Sequence, residues 1–177
     1  MNNATAPEWT TTQWFNSEPL TVEALRGRVV VMGTFQMLCP GCVSNGLPQL
    51  QRIEQTFAKK DVAVVGLHTV FEHHAAMMPV SLEAFLHEYR ITFPVGVDAH
   101  DDPHGASITM RRYGLRGTPS LVLIDRVGRI RHSGFGMEPD MAVGARVAQL
   151  VGESSNVAVG AAAGTNEGVC TLGGSCG

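Results

Sequence analysis

The chain has 177 residues, enough for one well-packed domain and too few for two typical ones. Its hydrophobic content of 44% is ordinary for a globular protein, and its formal net charge of −3 provides no basic field for nucleic acid. No apolar run approaches the roughly 20 residues that span a bilayer. The N-terminal segment lacks the basic start and apolar stretch of a signal peptide, so we expect a cytoplasmic protein, or a periplasmic one if a leader has been removed.

The first half of the chain predicts a strand, a helix and a second strand. Residues 29–32 and 62–67 are short β-branched runs, typical of strands buried on both faces of a parallel sheet. Between them, from about Cys42 to Lys59, apolar residues recur at helical spacing. This βαβ unit should have a right-handed crossover.

The second half predicts further elements in alternation. We expect a helix capped by Ser81, a strand over 93–97, a helix over 107–113, an antiparallel pair of strands over 120–124 and 130–135, and a helix from Pro139 to about Val151. After residue 153 the composition changes to Gly, Ala, Ser and Asn. We therefore predict a domain over 1–152 and a flexible tail over 153–177.

Cys39 and Cys42 form a CPGC motif at the predicted strand-to-helix junction. The unpaired amides and dipole of a helix N-terminus stabilise a thiolate there. We interpret Cys39 as the exposed nucleophile and Cys42 as the thiol that resolves the mixed disulfide. Incidental thiols or zinc ligands are the alternatives, but no second CxxC or nearby HxxxH completes a four-ligand zinc site. The motif favours a redox couple, with no metal.

Thr118 and Pro119 lie immediately before the predicted strand over 120–124. An X–Pro bond takes the cis form at small cost. We expect a cis bond here, which would turn the chain and leave backbone groups free to pair with an extended substrate.

Together, CPGC after a strand and TP before a strand and hairpin resemble the thioredoxin-like superfamily. The segment "PLTVEALRGRVVVMGTFQMLCPGC" and the added helix and strand over 81–97 are similar to its TlpA-like and AhpC/TSA redoxin branch. The resemblance implies an α/β, thioredoxin-like fold: a central mixed sheet flanked by helices, with an N-terminal extension and an αβ insertion. It also implies exchange with protein or small-molecule thiols and disulfides, without a cofactor. Leu38, Thr118 and Pro119 would contact the substrate.

Three positions depart from the family pattern. Leu38 replaces the usual tryptophan before the first cysteine, which leaves a smaller apolar platform. Gly33 lies where thioredoxin has a buried acid, and Asn45 lies where some TlpA-like proteins have an active-site glutamate. The source of proton transfer is therefore open.

A peroxiredoxin is one alternative. Aligned to that family, Cys42 would be the peroxidatic thiol, with threonine expected at Cys39 and proline at Phe35; both are absent. The arginine of that site would come from the group Arg111, Arg112 and Arg116.

A copper- or zinc-binding protein is a second alternative. Imidazoles and soft sulfur ligands suit these metals, and the candidates are His68, His73, His74, His100 and His104, beside Met77 and Met78. Solvated loop histidines explain the same pattern. The segment over 68–79 should form one rim of the substrate groove, and Phe71 is a candidate contact.

Cys170 and Cys176 form a second cysteine pair in the predicted tail. One hypothesis is a relay that exchanges with Cys39 and Cys42, since a flexible tether raises the effective concentration. The other is that these cysteines pair with each other or remain unused.

Overall fold

The computed structural model describes residues 4–102 and 105–159. Its strands are β1 (Thr11–Phe15), β2 (Val29–Phe35), β3 (Val62–His68), β4 (Val95–Asp98), β5 (Ser120–Ile124) and β6 (Ile130–Phe135). Its α-helices are α1 (Leu47–Thr56), α2 (Pro79–Glu88), α3 (Ile108–Arg112) and α4 (Asp140–Val159). A π-helical turn, Cys42–Gly46, leads directly into α1. No helix in the described ranges is long and apolar enough to cross a membrane.

The strands form one mixed sheet in the order β1-β4-β3-β2-β5-β6. β2, β3 and β4 are parallel neighbours, whereas β5 runs antiparallel to both β2 and β6. The central strand β2 is buried at all seven positions, as its apolar run predicts. The segment after β2 therefore begins at the carboxyl edge of the sheet, where open α/β sheets place their ligands.

Alternate residues of β2 contribute to two separate cores, because side chains of a strand point to opposite faces. Val29 and Val31 pack with the apolar faces of α1, α2 and α4. Val30 and Met32 face the other layer, which the N-terminal segment covers with Trp9. The N-terminal extension therefore completes the second core, and α2 with β4 forms the predicted insertion.

Helix α2 begins at Pro79, two residues before the predicted cap at Ser81. Met78 is the extended residue that precedes the helix. Proline is favoured in the first turn because its φ is already helical and its missing N–H needs no partner there. Ser81 thus lies inside the helix, and the prediction of a serine cap was wrong.

Two further boundaries differ from the predictions. Helix α1 ends at Thr56 instead of near Lys59, because Phe57 has extended backbone angles (φ −105°, ψ 144°). Strand β4 is Val95–Asp98, displaced from the predicted 93–97.

Helix α4 buries Val143, Val147 and Leu150, as predicted, but it continues to Val159. The sequence predicted an end near Val151 because the small residues that follow carry no apolar periodicity. This predicted end was too early. The domain boundary predicted at 153 falls inside this helix. Cys170 and Cys176 lie outside the described residues.

Candidate active site

Cys39 and Cys42 lie at the carboxyl end of β2, where the chain turns into a helix. The amide of Cys39 donates to the carbonyl of Gln36 at 3.2 Å, which closes the turn. The amides of Cys42 and Val43 then donate to the carbonyl of Cys39 at 3.0 and 3.1 Å, which forms the first helical turn. Pro48 follows in the first turn of α1; its ring and missing N–H are incompatible with a regular α-helical bond to Ser44, and the π-helical turn lies there.

The two thiols differ sharply in exposure. Both are free thiols, but Cys39 is half-buried whereas Cys42 is completely buried. The amide of Cys42 lies 3.3 Å from Sγ of Cys39, so a backbone donor points at the more exposed sulfur.

The pKa of Cys42 is raised to about 12, first by burial and second by its hydrogen bond to Cys39. The backbone of Gln36 and the hydroxyl of Thr118 act in the opposite direction, because they stabilise the Cys42 thiolate. Near neutral pH Cys42 is therefore a protonated, inaccessible thiol, and Cys39 is the more exposed of the two sulfurs.

The Thr118–Pro119 bond is cis, and this loop faces Cys39. Sγ of Cys39 lies 3.5 Å from the carbonyl oxygen of Thr118. The Pro119 ring lies against the helix start: a Cβ on Gly46 would be 2.9 Å from Cβ of Pro119, and one on Gly41 would be 3.4 Å from its Cδ. Glycine at position 46 therefore permits close approach of the loop to the helix.

Apolar side chains surround this point on the surface. Leu38 is 57% exposed next to Cys39, and Met137 is 71% exposed beside Pro119, with which it lines a small cavity. The structure thus brings Cys39, Cys42, Thr118, Pro119 and Leu38 to one end of the sheet, where the sequence predicted them.

Gln36 is a buried polar residue that the sequence analysis missed. It is 1% exposed, and its side chain accepts from the amide of Phe71 at 3.1 Å. Its Nε2 lies 3.4 Å from Oε1 of Glu72 and 3.5 Å from Oγ1 of Thr118. The available signal was a glutamine directly after seven buried strand residues, since buried polar groups need partners.

Two of the three positions that depart from the family pattern, Gly33 and Asn45, lie where other members have an acid. A Cβ on Gly33 would lie 2.4 Å from Cδ1 of Leu50, so the side chain of α1 fills that space. Asn45 donates to Oγ of Ser44 at 2.8 Å. Neither position contributes an acid near the thiols.

His68, at the end of β3, lines one cavity together with His74 and His100. His68 is fully buried, its ring nitrogens have no hydrogen-bond partner among the described residues, and burial followed by the charge of His100 lowers its pKa to about 4. His100 contacts the carbonyl of Val70 at 2.6 Å, and its ring centre lies 5.3 Å from that of His74. His73 has a left-handed backbone (φ 50°).

Within the described ranges, no group of three or more His, Cys, Asp or Glu side chains is placed to hold a metal ion. Met77 is buried in the main core, whereas Met78 is exposed. His104 lies outside the described residues. The copper or zinc hypothesis gains no support from this geometry.

The arginines considered for a peroxide site have other partners. Arg111 pairs with Asp101, and Arg112 bonds to Oγ1 of Thr10. Arg116 stacks over the ring of Phe135, with its guanidinium carbon 5.5 Å from the ring centre. Among the described residues these arginines contact other groups and Cys42 is buried, so this geometry gives the peroxiredoxin alternative no support.

Fold and site together are those of a thioredoxin-like protein. A family model described as Redoxin matches residues 1–149, and the chain belongs to the Redoxin family. Both the fold and the family branch predicted from the sequence are confirmed.

Two solved structures are similar over most of their length. The crystal structure of a thioredoxin-like superfamily protein is 54% identical, with a TM-score of 0.81, and the match covers 84% of this chain and 96% of that one. A thiol-disulfide isomerase from Corynebacterium glutamicum is 46% identical, with a TM-score of 0.79, and the match covers 82% and 96%. The chain thus has the fold of the thioredoxin-like class.

Among curated proteins, the chain is similar to Protein DipZ from Mycobacterium bovis and from Mycobacterium tuberculosis. Each is 27% identical over 128 residues, which is 71% of this chain. The matched region spans 17% of the length of DipZ.

Proposed function

We propose that this chain exchanges disulfides with protein or small-molecule partners through a Cys39–Cys42 dithiol/disulfide couple. The observation that carries the proposal is the contrast between a half-buried Cys39, at a groove, and a fully buried Cys42 directly beneath it. The name of the Corynebacterium glutamicum relative, a thiol-disulfide isomerase, supports the same reaction class.

In the first step the Cys39 thiolate attacks a partner disulfide. A bond forms between Sγ of Cys39 and one partner sulfur, and the second partner sulfur leaves as a thiolate. The amide of Cys42, 3.3 Å from Sγ of Cys39, stabilises charge on the attacking sulfur.

In the second step Cys42 resolves the mixed disulfide. Its sulfur bonds to Sγ of Cys39, and the bond between Cys39 and the partner breaks. The partner is reduced by two electrons and the Cys39–Cys42 pair is oxidised. The leaving partner thiolate takes up a proton as Cys42 loses one, so protons balance. The reverse sequence donates a disulfide to a dithiol partner.

The surface around Cys39 suits an extended apolar partner segment. Leu38, next to Cys39 in the chain, and Met137, which lines a cavity with Pro119, provide exposed apolar surface. The carbonyl of Thr118, 3.5 Å from Sγ of Cys39, lies within reach of a partner backbone bound in the groove. We infer that Leu38, Thr118 and Pro119 contact the substrate.

The proposal is tested with insulin as a disulfide-containing protein substrate. The wild-type chain should catalyse its reduction by dithiothreitol, and Cys39→Ser should abolish this activity. Cys42→Ser should accumulate a mixed disulfide that peptide mapping assigns to Cys39. The matched Cys39→Ser variant should trap nothing through Cys42, because that sulfur is buried. Full activity of Cys39→Ser would contradict the proposal.

A further inference from the structure

A second cavity lies at the opposite end of the sheet from the cysteines. Its lining includes Arg28, which directly precedes β2, and Val62, which begins β3. Cys39 follows the carboxyl end of β2, so the whole length of that strand separates the two places. The cavity has a volume of about 290 Å³. At ≈ 30 Å³ for each water molecule, this is space for roughly ten waters, which suits one small ligand.

One wall of the cavity is the first half of β3, where the described residues provide no neighbouring strand on the β4 side. Strand β4 pairs with β3 from Gly66 onward, and the amide of Gly66 donates to the carbonyl of Pro94 at 2.9 Å. Alternate residues of a strand direct their backbone groups to the same side, so the carbonyl of Val64 points the same way. The ladder would continue with a donation from residue 94 to this carbonyl, but proline has no amide hydrogen. Val64 therefore presents a hydrogen-bond acceptor to the cavity.

The charged side chains that line the cavity are Arg28, Glu54 and Lys59. Glu54 accepts from the hydroxyl of Thr92 at 3.1 Å, and its Oε1 lies 3.6 Å from Nζ of Lys59, so these two charges balance. Arg28 is half-buried, and its guanidinium has no hydrogen-bond or ion-pair partner among the described residues. The cavity thus carries one uncompensated positive charge. A guanidinium of this kind matches a carboxylate in both charge and shape.

Ser17 adds a hydroxyl to the same cavity. Its Oγ is buried and has no hydrogen-bond partner in the described part of the chain. The turn that carries it is held in place, because Nδ2 of Asn16 donates to the carbonyls of Ile91 and Phe93 at 2.9 and 3.0 Å. A buried hydroxyl without a partner is unfavourable, so a ligand oxygen that pairs with it gains binding free energy.

Much of the remaining lining is apolar, and it includes Leu20, Leu25, Ile53 and Phe57. A matching ligand needs a carboxylate for Arg28, an N–H donor for the carbonyl of Val64 and an apolar side chain. An apolar amino acid that is acylated on its nitrogen has all three groups, and acylation removes the ammonium charge that Arg28 would repel. We propose that this cavity binds an N-acylated apolar amino acid, with its carboxylate on Arg28 and its amide on Val64. This inference does not depend on disulfide exchange.

Ligand analogues test each contact on the full-length, reduced chain, with amide chemical shifts in NMR spectra as the readout. N-acetyl-L-leucine should cause saturable shifts centred on Ser17, Arg28 and Val64. N-acetyl-L-leucinamide, which lacks the carboxylate, should bind about tenfold to a hundredfold more weakly, the effect of one hydrogen bond to a charged group. Isocaproate keeps the carboxylate and the apolar chain but lacks the amide, and it should bind about twofold to tenfold more weakly.

Two variants of matched charge complete the test. Arg28→Met should weaken binding of N-acetyl-L-leucine by about tenfold to a hundredfold. Arg129→Met removes the same charge from an exposed position outside the cavity, and it should bind as the wild type does. The unfolding midpoint of each ligand-free variant reports whether it is folded, and the analogues test the wild-type chain in any case. The inference would be overturned by shifts centred elsewhere, by equal affinity for N-acetyl-L-leucine and either analogue, or by wild-type affinity in a folded Arg28→Met.

Discussion

A Cβ atom on Gly46 would lie 2.9 Å from Cβ of Pro119, closer than real Cβ contacts allow. The helical segment that begins at Cys42 therefore packs against the Thr118–Pro119 loop at Gly46. Any side chain at position 46 must move one of these two elements.

Gly46→Ala should therefore displace Pro119 and slow exchange with insulin, while the overpacking costs about 1–3 kcal/mol of stability. Steady-state kinetics and urea unfolding measure the two effects. Gly144→Ala is the matched control, since a Cβ there meets nothing within 4 Å; it should leave exchange unchanged and stability equal or higher. Normal exchange by Gly46→Ala would show that this contact does not shape the groove.

The raised pKa of Cys42 predicts how the stability of the reduced protein changes at alkaline pH. A thiol whose pKa rises from 9.0 unfolded to about 12 folded stabilises the reduced protein below pH 9, and this stability is lost as pH rises from 9 toward 12. The loss is up to about 1.4 kcal/mol per pH unit in that window. Urea unfolding of the reduced protein at pH 8 to about 10.5 should show a steeper decline than Cys42→Ala shows. Parallel declines would contradict the buried, protonated thiol.

The lowered pKa of His68 predicts how the stability of the protein changes at acidic pH. Its pKa falls from 6.5 to about 4 because of burial first and His100 second, so the folded state holds the ring neutral. A depressed pKa contributes stability above pH 6.5 that is lost as pH falls toward 4, by up to about 3 kcal/mol. His68→Leu should flatten this part of the stability profile. An unchanged profile would show that other groups set the acid sensitivity.

The relay through Cys170 and Cys176 stays a prediction, because these residues lie outside the described ranges. Helix α4 starts near the active-site end, with Asp140 bonded to Arg52, and passes Arg126 at the other end of the sheet.

The relay predicts a disulfide between Cys39 and Cys170 or Cys176 of the same chain. In Cys42→Ser, differential alkylation and peptide mapping should find this disulfide, formed at a rate independent of protein concentration. Removing residues 160–177 should then slow exchange. A Cys39 that is only unpaired or linked to an added partner, together with unchanged exchange after the removal, would contradict the relay.

The sequence predicted the site where a motif and a strand pattern coincided. Cys39 and Cys42 follow the apolar run of β2, and Thr118 and Pro119 precede that of β5; the antiparallel pairing of these two strands brings both segments to one edge of the sheet. The sequence did not predict Gln36 as part of the site, because a single glutamine carries no periodic signal. Its hydrogen bonds are to residues 35 and 82 positions away in the chain.

Other differences have equally local causes. The space beside Gly33 is filled by Leu50, a contact between strand and helix that spacing alone does not specify. The start of α2 depended on Pro79, whose preference for a first turn competes with serine as a cap. The end of α4 was not predicted, because the small residues that follow Val151 form no apolar stripe.

The most direct test of the account is equilibration of the full-length chain with mixtures of reduced and oxidised glutathione. Alkylation, intact mass and peptide mapping should show one two-electron transition, in which a Cys39–Cys42 disulfide forms. A potential near about −270 mV would identify a reductant, and one near about −120 mV an oxidant. A Cys39–Cys42 pair that stays reduced in every mixture, or that carries only glutathione adducts, would contradict the account.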